Sequence, residues 1–187
     1  MIKKLFSKFG NSFSIFRIRL HRKNSKKFYK LSQKYWAKKG VVFKGDRAIA
    51  FYTANLDCSV PNMITIGDET TITARVTILV HDYSIQHGLS AINKDFPDHI
   101  VQHVAPVVIG KNCFIGNDSI LLPGTTIGDN CIIGAGSVVR GNIPDNSVVC
   151  GNPAKVIANT IEWASKKDDN YYVYGGSWGN FPKKKKD

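Results

Sequence analysis

Residues 107–140 read VVIGKNCFIGNDSILLPGTTIGDNCIIGAGSVVR. A large aliphatic residue returns at every sixth position, as Ile109, Ile115, Leu121, Ile127, Ile133 and Val139. Four of these are followed by glycine, at Gly110, Gly116, Gly128 and Gly134, and the position four after each aliphatic holds a smaller side chain: Cys113, Ser119, Thr125, Cys131 and Ser137. Residues 64–79, ITIGDETTITARVTIL, carry the same pattern through Ile66, Ile72 and Ile78, with Thr70 and Val76. Counted in sixes, Ile78 and Ile109 are out of phase by one position, so an insertion separates the two runs.

A short fixed period with one aliphatic and one small residue per unit marks a parallel β-helix, each hexapeptide forming one flat side of a prism. Three hexapeptides make one coil, which stacks Ile109 on Ile127, Ile115 on Ile133, Leu121 on Val139 and Cys113 on Cys131 at the spacing of neighbouring strands. Glycine is expected at the corners, where the turn asks for backbone angles that a Cβ obstructs.

The chain has 187 residues and a formal charge of +12, carried by its ends. Residues 1–45 hold 14 Lys or Arg and no Asp or Glu; residues 46–159 hold 6 basic against 10 acidic; the remainder holds 6 against 4. A main domain that wrapped nucleic acid would itself be basic, so no nucleic-acid partner is expected. The expected organisation is a basic, helical segment over 1–45, a β-helix over 46–159 with an inserted loop at 82–105, and an aromatic and basic tail over 160–187. Within residues 2–20, Ile2, Leu5, Phe6, Phe9, Phe13, Phe16 and Leu20 recur at helical spacing among Lys3, Lys4, Lys8, Arg17 and Arg19, a stripe suited to resting on a membrane surface. Lys8 breaks the apolar residues before a secretory h-region can form. Cys58, Cys113, Cys131 and Cys150 show no C-x-x-C or metal spacing, and a cytoplasmic protein with reduced thiols is expected.

The repeat resembles that of the hexapeptide acyltransferases. The stretch from Ile66 to Ile157, with IGDNCIIGAGSVV (127–139) and IPDNSVVCGNPAKVI (143–157), is similar to the branch containing galactoside, maltose and streptogramin acetyltransferases and polysaccharide O-acetyltransferases. The resemblance implies left-handed coils and a homotrimer. It also implies acetyl-CoA as co-substrate, no metal, and a hydroxyl of a sugar or cell-surface polysaccharide as acceptor.

Acetyl transfer from a thioester to an alcohol needs a base for the hydroxyl proton, donors for the oxyanion and a groove for a long anionic cofactor. His81, His87, His99 and His103 all lie at or inside the insertion. His81 directly follows VTILV (76–80), the junction at which the resembling enzymes carry their catalytic histidine, with His87 the alternative if the alignment slips. By the same resemblance Asn55 is an acceptor contact, while His87, like His99 and His103, is expected to pack the loop or contact the acceptor. Asp82, beside the base, could orient the imidazole, hold an acceptor hydroxyl or cap the loop. Phe114, where relatives often have Trp, together with Asn117, Ala135, Arg140 and Lys155, corresponds to the cofactor groove. Competing readings are N-acetylation of a xenobiotic or an amino sugar, a zinc enzyme like the γ-carbonic anhydrases using His99 and His103, and a non-catalytic binding protein.

Overall fold

The computed structural model describes residues 12, 14–20, 25–94, 96 and 98–166. A helical stretch over 14–20 and helix α1 (Ser25–Ala37) precede the coils. The first coil is β1 (Val41–Lys44), β2 (Ile49–Ala50) and β3 (Asn55–Leu56); the second is β4 (Ile64–Gly67), β5 (Thr71–Ile72) and β6 (Thr77–Ile78). An excursion follows, made of β7 (His81–Asp82), helix α2 (Ser84–Ala91) and β8 (His103–Val104). The third coil is β9 (Val107–Ile109), β10 (Phe114–Ile115) and β11 (Ile120–Leu121), and the fourth is β12 (Thr126–Ile127), β13 (Ile132–Ile133) and β14 (Val138–Val139). The chain closes with β15 (Asn142–Ile143), β16 (Ser147–Gly151), β17 (Ala154–Asn159) and helix α3 (Thr160–Ser165).

These strands form three faces, ordered β1-β4-β9-β12-β15, β2-β5-β10-β13-β16-β17 and β3-β6-β11-β14. All neighbours are parallel except β16 and β17, whose antiparallel pairing ends the prism. Ile109 pairs with Ile127, Ile115 with Ile133 and Leu121 with Val139, the expected step of three hexapeptides. Across the insertion Ile66 pairs with Ile109, so the inward ladder runs on and the excursion is looped out of it. Asp82 of β7 pairs with His103 of β8, and the expected loop over 82–105 contains helix α2.

The first coil begins at Val41, inside the segment expected to be helical through residue 45. Asn55 pairs with Thr77, a step longer than three hexapeptides, so this coil carries extra turn residues and the hexapeptide spacing does not reveal it.

Ile66, Ile72, Ile78, Ile109, Ile115, Leu121, Ile127, Ile133 and Val139 point inward and are buried. The smaller residues are buried as well, and those with a hydroxyl or thiol donate to turn carbonyls. Thr70 Oγ1 donates to the Gly110 carbonyl (2.7 Å), Ser119 Oγ to that of Gly134 (3.0 Å) and Cys113 Sγ to that of Gly128 (3.0 Å). The Cys131 partner and burial together hold the Cys113 thiol well above the usual range, which suits a packing role.

The glycines after the aliphatics serve close approach and not, as expected, the corner angle. A Cβ on Gly67 would meet the Gly110 backbone, and one on Gly116 would lie 2.6 Å from Ala135 N. The left-handed turn positions fall two residues later, at Asn112, Asp118 and Asn130, each with positive φ. Asn and Asp tolerate that conformation better than other side chains.

Helix α1 closes the N-terminal end. Phe28, Ser32, Tyr35 and Trp36 recur at helical spacing on its buried face. Trp36 Nε1 donates to the Ala50 carbonyl (3.2 Å). Among the described residues no helix is long and apolar enough to cross a membrane.

Candidate active site

The excursion leaves and re-enters the prism at one edge. Leaving β6, Val80 is buried, and its carbonyl accepts from Ala105 N (3.0 Å), which pins the two ends of the excursion together. One coil below, Asp57 follows β3 and donates its own N–H to the Ile78 carbonyl (2.9 Å). Side chains alternate across a strand, so with Leu56 buried, Asn55 and Asp57 both leave from the outer face.

Asp57 reaches His81. Its Oδ2 lies 2.5 Å from His81 Nδ1 and accepts from Val80 N (3.1 Å), while Oδ1 accepts from Ser59 N (3.1 Å). Ser59 Oγ lies 3.3 Å from His81 Nδ1. Burial pushes the Asp57 carboxyl up. The hydrogen bonds from Ser59 and Val80 and the neighbouring His81 charge outweigh that, and the carboxyl sits below its usual range. An ionised carboxylate only accepts, so Nδ1 carries a proton, and whenever the ring is neutral its lone pair is on Nε2. The Tyr83 ring packs edge-on at 5.1 Å, and the His81 side chain is 26% exposed against 11% for Asp57. The arrangement is a partly shielded imidazole, fixed through one nitrogen and able to accept a proton at the other.

Asp57 is absent from the sequence-level candidates. Its spacing from His81 is not a whole number of three-hexapeptide coils, and only the longer first coil brings the two together.

Asn55 lies on the same outer row as Asp57. Asp82 does not orient the imidazole: its carboxylate accepts from Ser84 N (2.8 Å) and Ser84 Oγ (2.9 Å) at the start of α2. Those two bonds hold it below the usual carboxylate range, helped by the charges of His103 and Arg140. His87 is exposed on α2, and no hydrogen bond joins it to His81 among the described residues.

The five groove candidates are spread over two edges, the second face and β17. Arg140 follows β14 as Leu79 follows β6, so it stands over the His81 edge. Asn117 and Ala135 share the corner between the second and third faces, where the Asn117 carbonyl accepts from Gly136 N (2.8 Å). Phe114 is exposed on the second face, and Lys155 is exposed on β17 beside Cys150. Space around Gly136 and Gly141 is open, so an extended ligand could approach backbone there. Among the described residues no three His, Cys, Asp or Glu side chains converge as a metal site would require.

Residues 106–141 match the family model described as bacterial transferase hexapeptide (six repeats). Residues 106–141, the third and fourth coils, thus carry the hexapeptide repeat of bacterial transferases. The chain is 41% identical over 96 residues to WbbJ of Escherichia coli, a protein named for O-acetyl transfer in lipopolysaccharide biosynthesis, and covers 49% of it. It is 40% identical over 112 residues to protein CapG of Staphylococcus aureus, covering 62%. These matches take in 50% and 60% of the present chain, and the chain spans about half to three-fifths of the length of these curated relatives. Among solved structures, a galactoside acetyltransferase in complex with coenzyme A superposes with a TM-score of 0.55 at 24% identity, covering 90% of this chain and 86% of the other. The domain is thus an all-β, left-handed parallel β-helix with N-terminal helices.

Proposed function

We propose that this chain is an acetyl-CoA-dependent O-acetyltransferase that acts on a hydroxyl of a sugar or cell-surface polysaccharide, or its precursor. The observation that carries the reading is the Asp57–His81 pair at the edge of a hexapeptide-repeat domain, with Nε2 free to serve as base. The relative named for lipopolysaccharide biosynthesis supports the acceptor class.

In the proposed ternary complex His81 Nε2 takes the acceptor hydroxyl proton as the oxygen attacks the thioester carbonyl. Asp57 steadies the resulting imidazolium, and backbone N–H groups at the cleft hold the oxyanion. The C–S bond then breaks, the proton passes to the departing thiolate, and the acetyl ester remains on the sugar. Asn55 and His87 are proposed to contact the acceptor. Asp82 contributes indirectly, by fixing the start of α2. Phe114, Asn117 and Ala135 fit the extended arm of the co-substrate. Arg140 and Lys155 supply positive charge for its phosphates.

Because Arg140 and Ala135 stand on different edges, a homotrimer with sites between subunits suits the groove best. The excursion's exposed Tyr83, Ile85, Ile92 and Ile100 support it, since a second copy would cover them. A cytoplasmic location with the N-terminal segment against the inner membrane surface completes the reading.

The test is thiol release from acetyl-CoA against nucleotide sugars, lipid-linked oligosaccharides and glycans. His81→Ala is expected to lower turnover about 100- to 10,000-fold while coenzyme A binding and melting temperature stay near wild type. An inactive His87→Ala beside an active His81→Ala would move the base to α2. Failure of the wild-type protein to bind coenzyme A would remove the reading altogether.

A further inference from the structure

The basic N-terminal segment presents a second candidate site, built from residues other than those at the acetyl-transfer edge. The stretch over 14–20 is held to the first coil by Ile18, which is 1% exposed, and by Arg19, whose Nε donates to Tyr52 Oη (3.1 Å) with its guanidinium 5.3 Å from the Tyr52 ring centroid. With Ile18 turned to the body, Phe16 and Leu20 are left 56% and 63% exposed. These are the two described members of the apolar stripe; Ile2, Leu5, Phe6, Phe9 and Phe13 lie outside the described residues.

Helix α1 is oriented by the same logic. Phe28, Ser32, Tyr35 and Trp36 are buried, and the helical repeat therefore sends Lys27, Lys30 and Lys34, spaced i, i+3 and i+7, to the side facing away. A cleft of about 290 Å³ results, lined by Arg17, Lys27, Lys30, Leu31 and Lys34. Every ionisable residue lining it among the described residues is a cation, and residues 1–45 hold no Asp or Glu.

We infer that this cleft binds the phosphate of anionic phospholipid headgroups while Phe16 and Leu20 enter the acyl boundary beside it, seating the β-helix on a bilayer. Four cations, one of them Arg17 on the same helical stretch as the exposed Phe16 and Leu20, match a surface that is anionic outside and apolar a little deeper. Nucleic acid offers the charge without the apolar layer, and a free anion offers no partner for Phe16 or Leu20. The inference deepens the membrane contact proposed above and rests on it, independently of acetyl transfer.

The experiment is co-sedimentation of the full chain with vesicles of phosphatidylcholine alone and of phosphatidylcholine doped with phosphatidylglycerol, without acetyl-CoA. Binding is expected to the doped vesicles only and to weaken with salt. Lys27→Gln/Lys30→Gln/Lys34→Gln should lower the partition coefficient about 100-fold. Lys27→Arg/Lys30→Arg/Lys34→Arg should retain it, so loss of charge is separated from loss of fold. Phe16→Ser/Leu20→Ser should also release the protein. Binding unchanged in the glutamine variant would overturn the cleft and leave the membrane contact standing; no binding to either vesicle would overturn both. A Phe16→Ser/Leu20→Ser protein that stays on the vesicles but changes its oligomeric state would assign that surface to a second copy of the chain and overturn the inference.

Discussion

Replacing Asp57 by Asn separates charge from shape at the proposed base. Asn can still accept from His81 Nδ1 through Oδ1, so tautomer and ring position can survive while the negative charge is removed. The carboxylate is 11% exposed and 2.5 Å from the imidazole, too sheltered for solvent to screen the pair fully. A hydrogen bond involving an ionised group is worth about 1.5–3 kcal/mol. If that value is realised on the imidazolium formed as His81 takes the proton, turnover should fall about 10- to 150-fold. Thiol-release kinetics over a range of acetyl-CoA concentrations should show the loss in kcat, with KM for acetyl-CoA little changed. A second readout is stability. The folded carboxyl lies below its ordinary value of 3.8, so its contribution is complete above that value and is lost as pH falls through the lower folded one. The wild-type melting temperature should therefore drop at acid pH more steeply than that of Asp57→Asn. Turnover within twofold of wild type at every pH, with His81→Ala inactive, would refute the reasoning and leave Asp57 a brace for the turn at Val80.

Leu121 is fully buried between Ile78 and Val139. Leu121→Ala should therefore cost about 2–5 kcal/mol of stability, read from denaturant midpoints. A cost below about 1 kcal/mol would mean that the ladder closes over the gap. Light scattering should report three copies per particle at assay concentration, and an active monomer would exclude sites shared between subunits.

The period-six aliphatics from Ile109 to Val139 were enough to obtain the prism and its registers, because a repeating coil places residues by counting alone. The resemblance carried by residues 66–157 supplied the hand of the coils, which the period does not contain. The position of His81 at the start of the excursion was also legible, since a regular strand runs into the phase break there. Counting fails wherever a coil changes length. The first coil takes longer steps and lacks the repeat's spacing, so neither its start at Val41 nor the approach of Asp57 to His81 could be read in advance. The same holds for Asp82: adjacency in sequence suggested a partner for the imidazole, but pairing with His103 turns the chain into α2, and the carboxylate bonds Ser84 instead. In the N-terminal segment the helical spacing of Phe16 and Leu20 was visible, but whether that stripe faced the body was not. Burial of Ile18 and the Arg19–Tyr52 contact decided it, because a helix with apolar residues on more than one side is oriented only by the surface it packs against.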